Sequence, residues 1–304
     1  MARDYRRSDY DDYLKDDNLH INWYPGHMKK TKEMVQNNLK LVDVVIELLD
    51  ARIPLSSKNP EIDKLAQNKP RVVVLNKSDL SDKAKLNKWI SYYQSKGIKA
   101  IPVDTLKGNG VNKIVEECKN ATKEKMDALK EKGRKERAIR VMIVGVPNVG
   151  KSSLINKLTG RKSTQTGDRP GVTKGKQWVR LKGNLELLDT PGILWPKFED
   201  QKIALNLAFT RAIKDEILDI DTLGLKFIEK MSEIEPEKLK ARYKLDSLGE
   251  EPLETMEMIG RKRGFILGRN ELDYTRIAKT VLNEFREGKL GQITLEVPED
   301  IEEA

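Results

Sequence analysis

The stretch Ala138-Ile-Arg-Val-Met-Ile-Val-Gly145-Val-Pro-Asn-Val-Gly150-Lys151-Ser152-Ser153-Leu-Ile-Asn-Lys-Leu158 decides the fold. It opens as an apolar, β-branched run of the kind found in a strand buried on both faces. It closes as a helix. Between them, Gly145-x-x-x-x-Gly150-Lys151-Ser152 fits G-x-x-x-x-G-K-[ST], and the strand-to-helix setting is the one this motif requires. The glycines allow backbone N–H groups to curl around phosphate oxygens, and the helix N-terminus adds its partial positive charge. Lys151 is expected to reach the β- and γ-phosphates, and Ser152 to ligate Mg²⁺ through its hydroxyl. Pro147, Asn148, Val149, Gly150 and Ser153 fall inside the same nucleotide-binding loop.

Two further loops give this one its chemistry. Asp189-Thr-Pro-Gly192 ends an apolar run about forty residues downstream. Its carboxylate suits contact with Mg²⁺ through water, and the Gly192 N–H suits a γ-phosphate that a side chain would crowd. Asn76-Lys77-Ser78-Asp79 ends the run Arg71-Val-Val-Val-Leu. Asp79 can accept the ring N–H and exocyclic amine of guanine, and adenine offers neither in that place. A carboxylate left unpaired there is costly, so such a site rejects ATP. Lys77 can lay its stem over the base, and Asn76 can bond the base edge. Together the three loops imply GTP/GDP with Mg²⁺.

Outward from these loops, strands alternate with helices. Apolar runs cover 43–51, 71–76, 98–104 and 138–145. Helical patterns cover 31–41, Asn59 to about Gln67, 82–96 and the stretch after Gly110, and QWVRL with LELLD reads as a hairpin. That order predicts an α/β fold with a mostly parallel sheet and helices on both faces. Beyond about residue 200 the strand signals fade and helical spacing takes over. The expected division is a charged arm over 1–22, a P-loop GTPase domain over 23–198 and an all-helical C-terminal domain over 199–304. The 304 residues fit two domains, and 38% hydrophobic with 35% charged residues fits ordinary cores under a charged surface. The single cysteine, Cys118, excludes an internal disulfide and a cysteine-rich zinc site and fits a reducing cytoplasm. No stretch reads as a signal peptide or bilayer span, so no membrane partner is expected, and the net charge of +9 favours an anionic one such as nucleic acid.

The order of the loops is unusual. In ordinary small GTPases the phosphate loop comes first, whereas here Asn76–Asp79 precedes it by about seventy residues. The same sheet can form if the chain is cut and rejoined elsewhere, since surface termini tolerate permutation. This arrangement resembles the circularly permuted GTPases. Within them, Trp23-Tyr24-Pro25-Gly26-His27-Met28, Asp50-Ala51-Arg52-Ile53-Pro54, the three loops above and Arg169-Pro170-Gly171-Val172-Thr173 together resemble the ribosome biogenesis GTPase A family. The likeness spans nearly the whole chain and is most specific before residue 200; the arm before Asn22 departs from it.

A monomer is expected, and the resemblance implies a GTPase that acts late in maturation of the large ribosomal subunit. It also implies a C-terminal helical domain that contacts ribosomal RNA on the subunit precursor. Ile193 and Leu194 follow Asp189–Gly192 where many GTPases carry Gln, so another group must orient the attacking water. The family implies that this group is His27; the other reading is a loop histidine bonded to backbone, and Arg169 is an alternative charge donor. By the same likeness Thr173 closes over Mg²⁺ and γ-phosphate, and Asn148 helps hold a K⁺ ion in the manner of potassium-activated GTPases. Asp104 and Thr105 occupy the expected further base loop but depart from its usual Ser-Ala pair. Because Asp189–Gly192 feeds the C-terminal portion directly, nucleotide state is expected to act on the junction between the two portions.

Two basic clusters stand out. From Lys119 to Arg140 the charges are mixed, and a solvated helix face laced with Glu–Lys pairs is the favoured reading. Arg261-Lys262-Arg263-Gly264, with Arg269 nearby, is tighter and suits phosphate contacts to RNA. Two functions compete: an enzyme whose hydrolysis times its release, and a passive nucleotide-sensing RNA-binding factor with negligible turnover. A small-molecule kinase is disfavoured, since no acceptor-binding motif is evident.

Overall fold

A computed structural model describes residues 28–66, 69–160, 178–188 and 200–301. The chain divides into an α/β unit, residues 28–188 with 294–301, and a helical unit, residues 200–293.

The α/β unit is built on β1 (Val44–Asp50), β2 (Arg71–Asn76), β3 (Lys99–Val103), β4 (Ile139–Val144), β5 (Trp178–Leu181) and β6 (Leu185–Leu188). Every residue of β1 is buried, as its nearly unbroken apolar run requires of a central strand. The strands stand side by side in the order β3-β2-β1-β4-β6-β5. All pairings are parallel except β5 with β6, the hairpin expected from its Lys182-Gly183-Asn184 turn. One face is covered by α1 (Met28–Leu39), α2 (Pro60–Leu65) and α3 (Lys83–Ser95). There Val35, Leu39 and Ile62 pack on Val45, Met142 and Val144, while Leu86, Trp89 and Tyr93 pack on Leu49, Val73 and Leu75. Alternation along the strands turns Ile46, Leu48 and Val74 to the other face. That face is covered by α4 (Val111–Glu131), which packs across β1 to β4, and by α5 (Lys151–Thr159). The first helix begins at Met28 rather than near Thr31, a start that no acidic residue in its first turn marks in the sequence.

The helical unit holds α6 (Gln201–Phe209), α7 (Ile220–Ile234), α8 (Pro236–Tyr243), α9 (Pro252–Arg263) and α10 (Tyr274–Arg286). Asp200, Asp219 and Asp273 each accept a backbone N–H from the first turn of α6, α7 and α10, which fixes where those helices start. The stripe Ile277, Ala278, Val281, Leu282 and Phe285 on α10 is buried, and Phe227 of α7 meets Phe285 with ring centroids 4.8 Å apart. The sequence ran this domain on to residue 304. That is corrected for the tail, because from Thr294 onward the chain packs on the α/β unit instead.

Of the three buried acids in β1 and its approach, Asp43 and Glu47 shift in opposite directions. Burial opposes ionisation of Asp43, but Arg137, Lys125 and the Arg140 N–H outweigh it and hold its carboxyl well below the usual range. Two of the cations in the mixed cluster are thus spent on the fold. Glu47 goes the other way. Its carboxylate is 3.4 Å from Arg71 but accepts no hydrogen bond, and burial lifts its pKa from 4.5 to about 7 against the pull of Arg71 and Lys58. The folded value lies above the unfolded one, so stability falls as pH rises from about 4.5 to about 7. Glu47→Gln is therefore expected to change stability little near pH 5 and to raise it near pH 8 by on the order of 3 kcal/mol. Thermal unfolding at the two pH values checks this, and an equal change at both would contradict it.

Candidate functional site

In a parallel sheet, ligand sites form at the carboxyl ends of the strands, where neighbouring strands send their chains to opposite sides. Here that point lies between β1 and β4. Four loops leave this edge: residues 50–57 after β1, 76–79 after β2, 104–109 after β3 and 145–150 after β4.

Asn76 joins three of them. It is 2% exposed, and its amide nitrogen donates to the Val149 carbonyl at 2.7 Å. Its amide oxygen accepts the Thr105 hydroxyl at 2.6 Å and the Thr105 N–H at 3.3 Å. Sequence reasoning gave Asn76 to the base edge; the geometry spends most of its amide on holding the base loop, the phosphate loop and the third loop in register. Thr105 is tied in by the same bonds. Asp104 turns back on its own loop, where its carboxylate accepts the Lys107 N–H at 3.0 Å.

Lys77 ties the base loop to the phosphate loop a second time. Its backbone is left-handed, φ 59°, a conformation a lysine adopts only where the surroundings impose it. Its ammonium donates to the Asn148 carbonyl and to the Asp50 carboxylate, each at 2.9 Å. Asn148 is left-handed as well, φ 57°, and its side chain is exposed. The Ser78 N–H donates to the Val103 carbonyl at 3.1 Å, which places half-buried Asp79 beside the end of β3.

The phosphate loop has the shape its glycines require. Gly150 sits at φ 103° immediately before α5, and a Cβ there would lie 2.3 Å from the Asn76 amide nitrogen. A Cβ on Gly145 would lie 2.6 Å from the Leu48 carbonyl. Being glycine, Gly150 brings no side chain to cap α5. Lys151, Ser152 and Ser153 form the first turn of that helix and are half-buried, with Pro147 just ahead of them and Val149 buried beneath. This is a donor set suited to a polyphosphate: successive backbone N–H groups, a lysine and two hydroxyls at a positive helix end. Ser152 is the described Mg²⁺ candidate. His27, Arg169, Thr173, Asp189 and Gly192 lie outside the described residues, as does the Arg269 side chain.

Sequence reasoning used Asp50 and Arg52 only to carry the family resemblance and gave them no role in the site. The Arg52 guanidinium grips the Asp50 carboxylate with two bonds of 2.9 and 2.8 Å, and its N–H adds a third at 3.1 Å. Burial opposes ionisation of Asp50, yet Arg52 and then Lys77 hold its carboxyl well below the ordinary range. The available signal was an aspartate ending a buried strand two residues before an arginine. In the helical unit, Arg261 and Lys262 are exposed at the end of α9. Arg263 is engaged within its own unit, 3.1 Å from Glu284 and stacked 5.2 Å from the Tyr243 ring centre.

A glycine loop between a parallel strand and a helix, bound through one asparagine to a base-selecting loop, defines a P-loop guanine-nucleotide-binding protein. The comparisons agree. Residues 140–253 match the family model described as 50S ribosome-binding GTPase. Ribosome biogenesis GTPase A of Bacillus cereus is 50% identical over 283 residues, covering 93% of this chain and 96% of that protein. Its namesake in Thermotoga maritima is 32% identical, covering 92% and 96%. The crystal structure of GNP-bound YlqF from T. maritima superposes with a TM-score of 0.61 at 28% identity, covering 89% of this chain and 99% of that one. The GDP-bound structure of TM YlqF gives 0.62 at 27%, covering 88% and 100%. This chain belongs to the ribosome biogenesis GTPase A family.

Proposed function

We propose that this chain is a GTP-hydrolysing assembly factor that binds ribosomal RNA on precursors of the large ribosomal subunit and promotes a late step of their maturation. The observation that carries the nucleotide half is the Asn76 side chain, which draws a guanine-type loop and a phosphate loop into one site. The ribosomal half is supported by the names of the relatives and by the exposed pair Arg261 and Lys262.

In this account the domain is a circular permutation, with the base loop ahead of the phosphate loop. Asp79 and Lys77 select guanine, and Lys151 with the N–H groups of 148–152 holds the phosphates. Ser152 and Thr173, with Asp189 through water, would hold Mg²⁺, which would supply positive charge to the phosphates. Asn148 helps hold K⁺, His27 orients the attacking water, and the factor works as a cytoplasmic monomer.

Reversing two exposed charges tests the RNA half without touching the nucleotide site. The Arg261→Glu, Lys262→Glu double variant is expected to lose about tenfold or more in affinity for large-subunit precursors, with a shallower salt dependence. Cosedimentation with a non-hydrolysable GTP analogue at two salt concentrations measures this. Unchanged binding at both would contradict RNA contact at the end of α9.

A further inference from the structure

From Thr294 the chain grips the turn that carries Asp50 and Arg52. The Thr294 hydroxyl accepts the Asp82 N–H and its carbonyl accepts the Lys85 ammonium, both at 3.0 Å. The Leu295 N–H donates to the Arg52 carbonyl at 2.8 Å. Glu296 is 5% exposed, and its carboxylate accepts the Leu55 N–H at 2.8 Å, the Ser56 N–H at 3.0 Å and the Ser56 hydroxyl. Its own carbonyl accepts the indole N–H of Trp89 at 3.1 Å. A carboxylate that gathers several donors is a strong anchor, since charge-assisted bonds are about twice as strong as neutral ones.

Inside the same turn, the Asp50 N–H donates to the Ser57 hydroxyl at 3.0 Å, and Arg52 clasps the Asp50 carboxylate. Asp50 in turn holds the Lys77 ammonium, which also donates to the Asn148 carbonyl. An unbroken run of bonds therefore leads from Glu296 through the turn, Asp50 and Lys77 to the phosphate loop.

We propose that Glu296 is a positioning residue for the nucleotide: by fixing the 50–57 turn it keeps Asp50 where it can aim Lys77 between the base loop and the phosphate loop. This rests on reading Asn76–Asp79 as the guanine loop. Lysine carries a long flexible stem, and holding its ammonium at one spot costs rotamer entropy that only fixed partners offset. Asp50 is such a partner only while the turn holds its Oδ2, which Arg52 also grips, in reach of the Lys77 ammonium. Glu296 thus lies 241 positions along the chain from Leu55 in the turn it steadies.

A plain clasp would lower the melting temperature and leave affinity alone, so the test is a double-mutant cycle on the full-length chain. Dissociation constants for fluorescent GDP are measured for wild type, Glu296→Ala, Lys77→Ala and the double variant, at a temperature where unfolding scans show all four folded. Glu296→Ala is expected to weaken GDP about tenfold, and this loss should disappear in the Lys77→Ala background. Glu296→Gln keeps one acceptor oxygen for the two N–H groups and should recover most of the affinity. It also serves as the informative variant should Glu296→Ala fail to fold, with an expected loss of a few fold that again vanishes when Lys77 is absent. Additive losses, or GDP affinity within twofold of wild type for both Glu296 variants, would overturn the proposal. A wild-type chain that binds ATP as tightly as GTP would overturn the guanine-loop reading on which it stands.

Discussion

Asp79→Asn is expected to lower affinity for GTP by a factor of roughly 100 to 1,000 and to raise affinity for XTP. Guanine presents a ring N–H and an exocyclic amine side by side, and a carboxylate accepts both. Asparagine offers one acceptor and one donor, so its amide faces the guanine amine donor to donor. Each buried donor left without an acceptor costs about 1–3 kcal/mol, and the lost charge adds to that. Xanthine carries a carbonyl where guanine carries the amine, which the asparagine amide can satisfy. The fold leaves little room for compensation. The loop is fixed on one side by Ser78 on the Val103 carbonyl and on the other by Asn76 and Lys77 on the phosphate loop. Competition of GTP and XTP against fluorescent GDP measures the exchange of preference. A variant that keeps wild-type GTP affinity would remove Asp79 from the base site.

Lys151→Ala is expected to reduce GTP hydrolysis by on the order of 1,000-fold and to weaken triphosphate binding as well. Lys151 opens α5 directly after Gly150, whose left-handed φ of 103° turns the chain from strand edge to helix. Its ammonium would stand where charge develops on the β–γ bridge, in a site partly closed to water. At an effective dielectric of about 20, opposite charges 4 Å apart attract by about 4 kcal/mol, ample to account for the loss. Arginine should not restore activity, because its planar fork demands space and geometry that a compact loop does not offer. Single-turnover hydrolysis at saturating GTP separates the chemical loss from the binding loss. A variant that hydrolyses GTP within tenfold of wild type would show that the phosphates are held chiefly by backbone N–H groups.

How much of this could be read beforehand differs from element to element. β1, β2 and β4 are nearly unbroken apolar runs ending in Asp50, Asn76 and the glycine loop, so both the strands and the site edge follow from local pattern. The phosphate loop was equally plain, because its G-x-x-x-x-G-K-[ST] pattern is local in sequence, although the contacts that require Gly145 and Gly150 come from Leu48 and Asn76. Asn76 was found but given too narrow a role. Its bonds to Val149 and Thr105 join segments distant in sequence, and a single side chain carries no sign of such partners. Asp43 shows the same limit. The sequence places this acid at the start of the apolar run 43–51 but carries no sign that Lys125, Arg137 and Arg140 fold around its carboxylate. The tail was hidden most completely. Thr294 to Val297 alternates polar and apolar residues over only four positions, too short to mark an element, and its anchor Glu296 bonds to Leu55 and Ser56 across some 240 positions. Tertiary hydrogen bonds of this range leave no local pattern, which is why the helical portion was extended over them.

The central claim is that a guanine-nucleotide switch is coupled to a ribosomal particle. The most direct measurement is GTP turnover in potassium buffer, with and without purified large ribosomal subunits. The account predicts slow turnover of the chain alone and strong stimulation by the subunits. Tight GTP binding with no stimulation by large subunits or their precursors would contradict it.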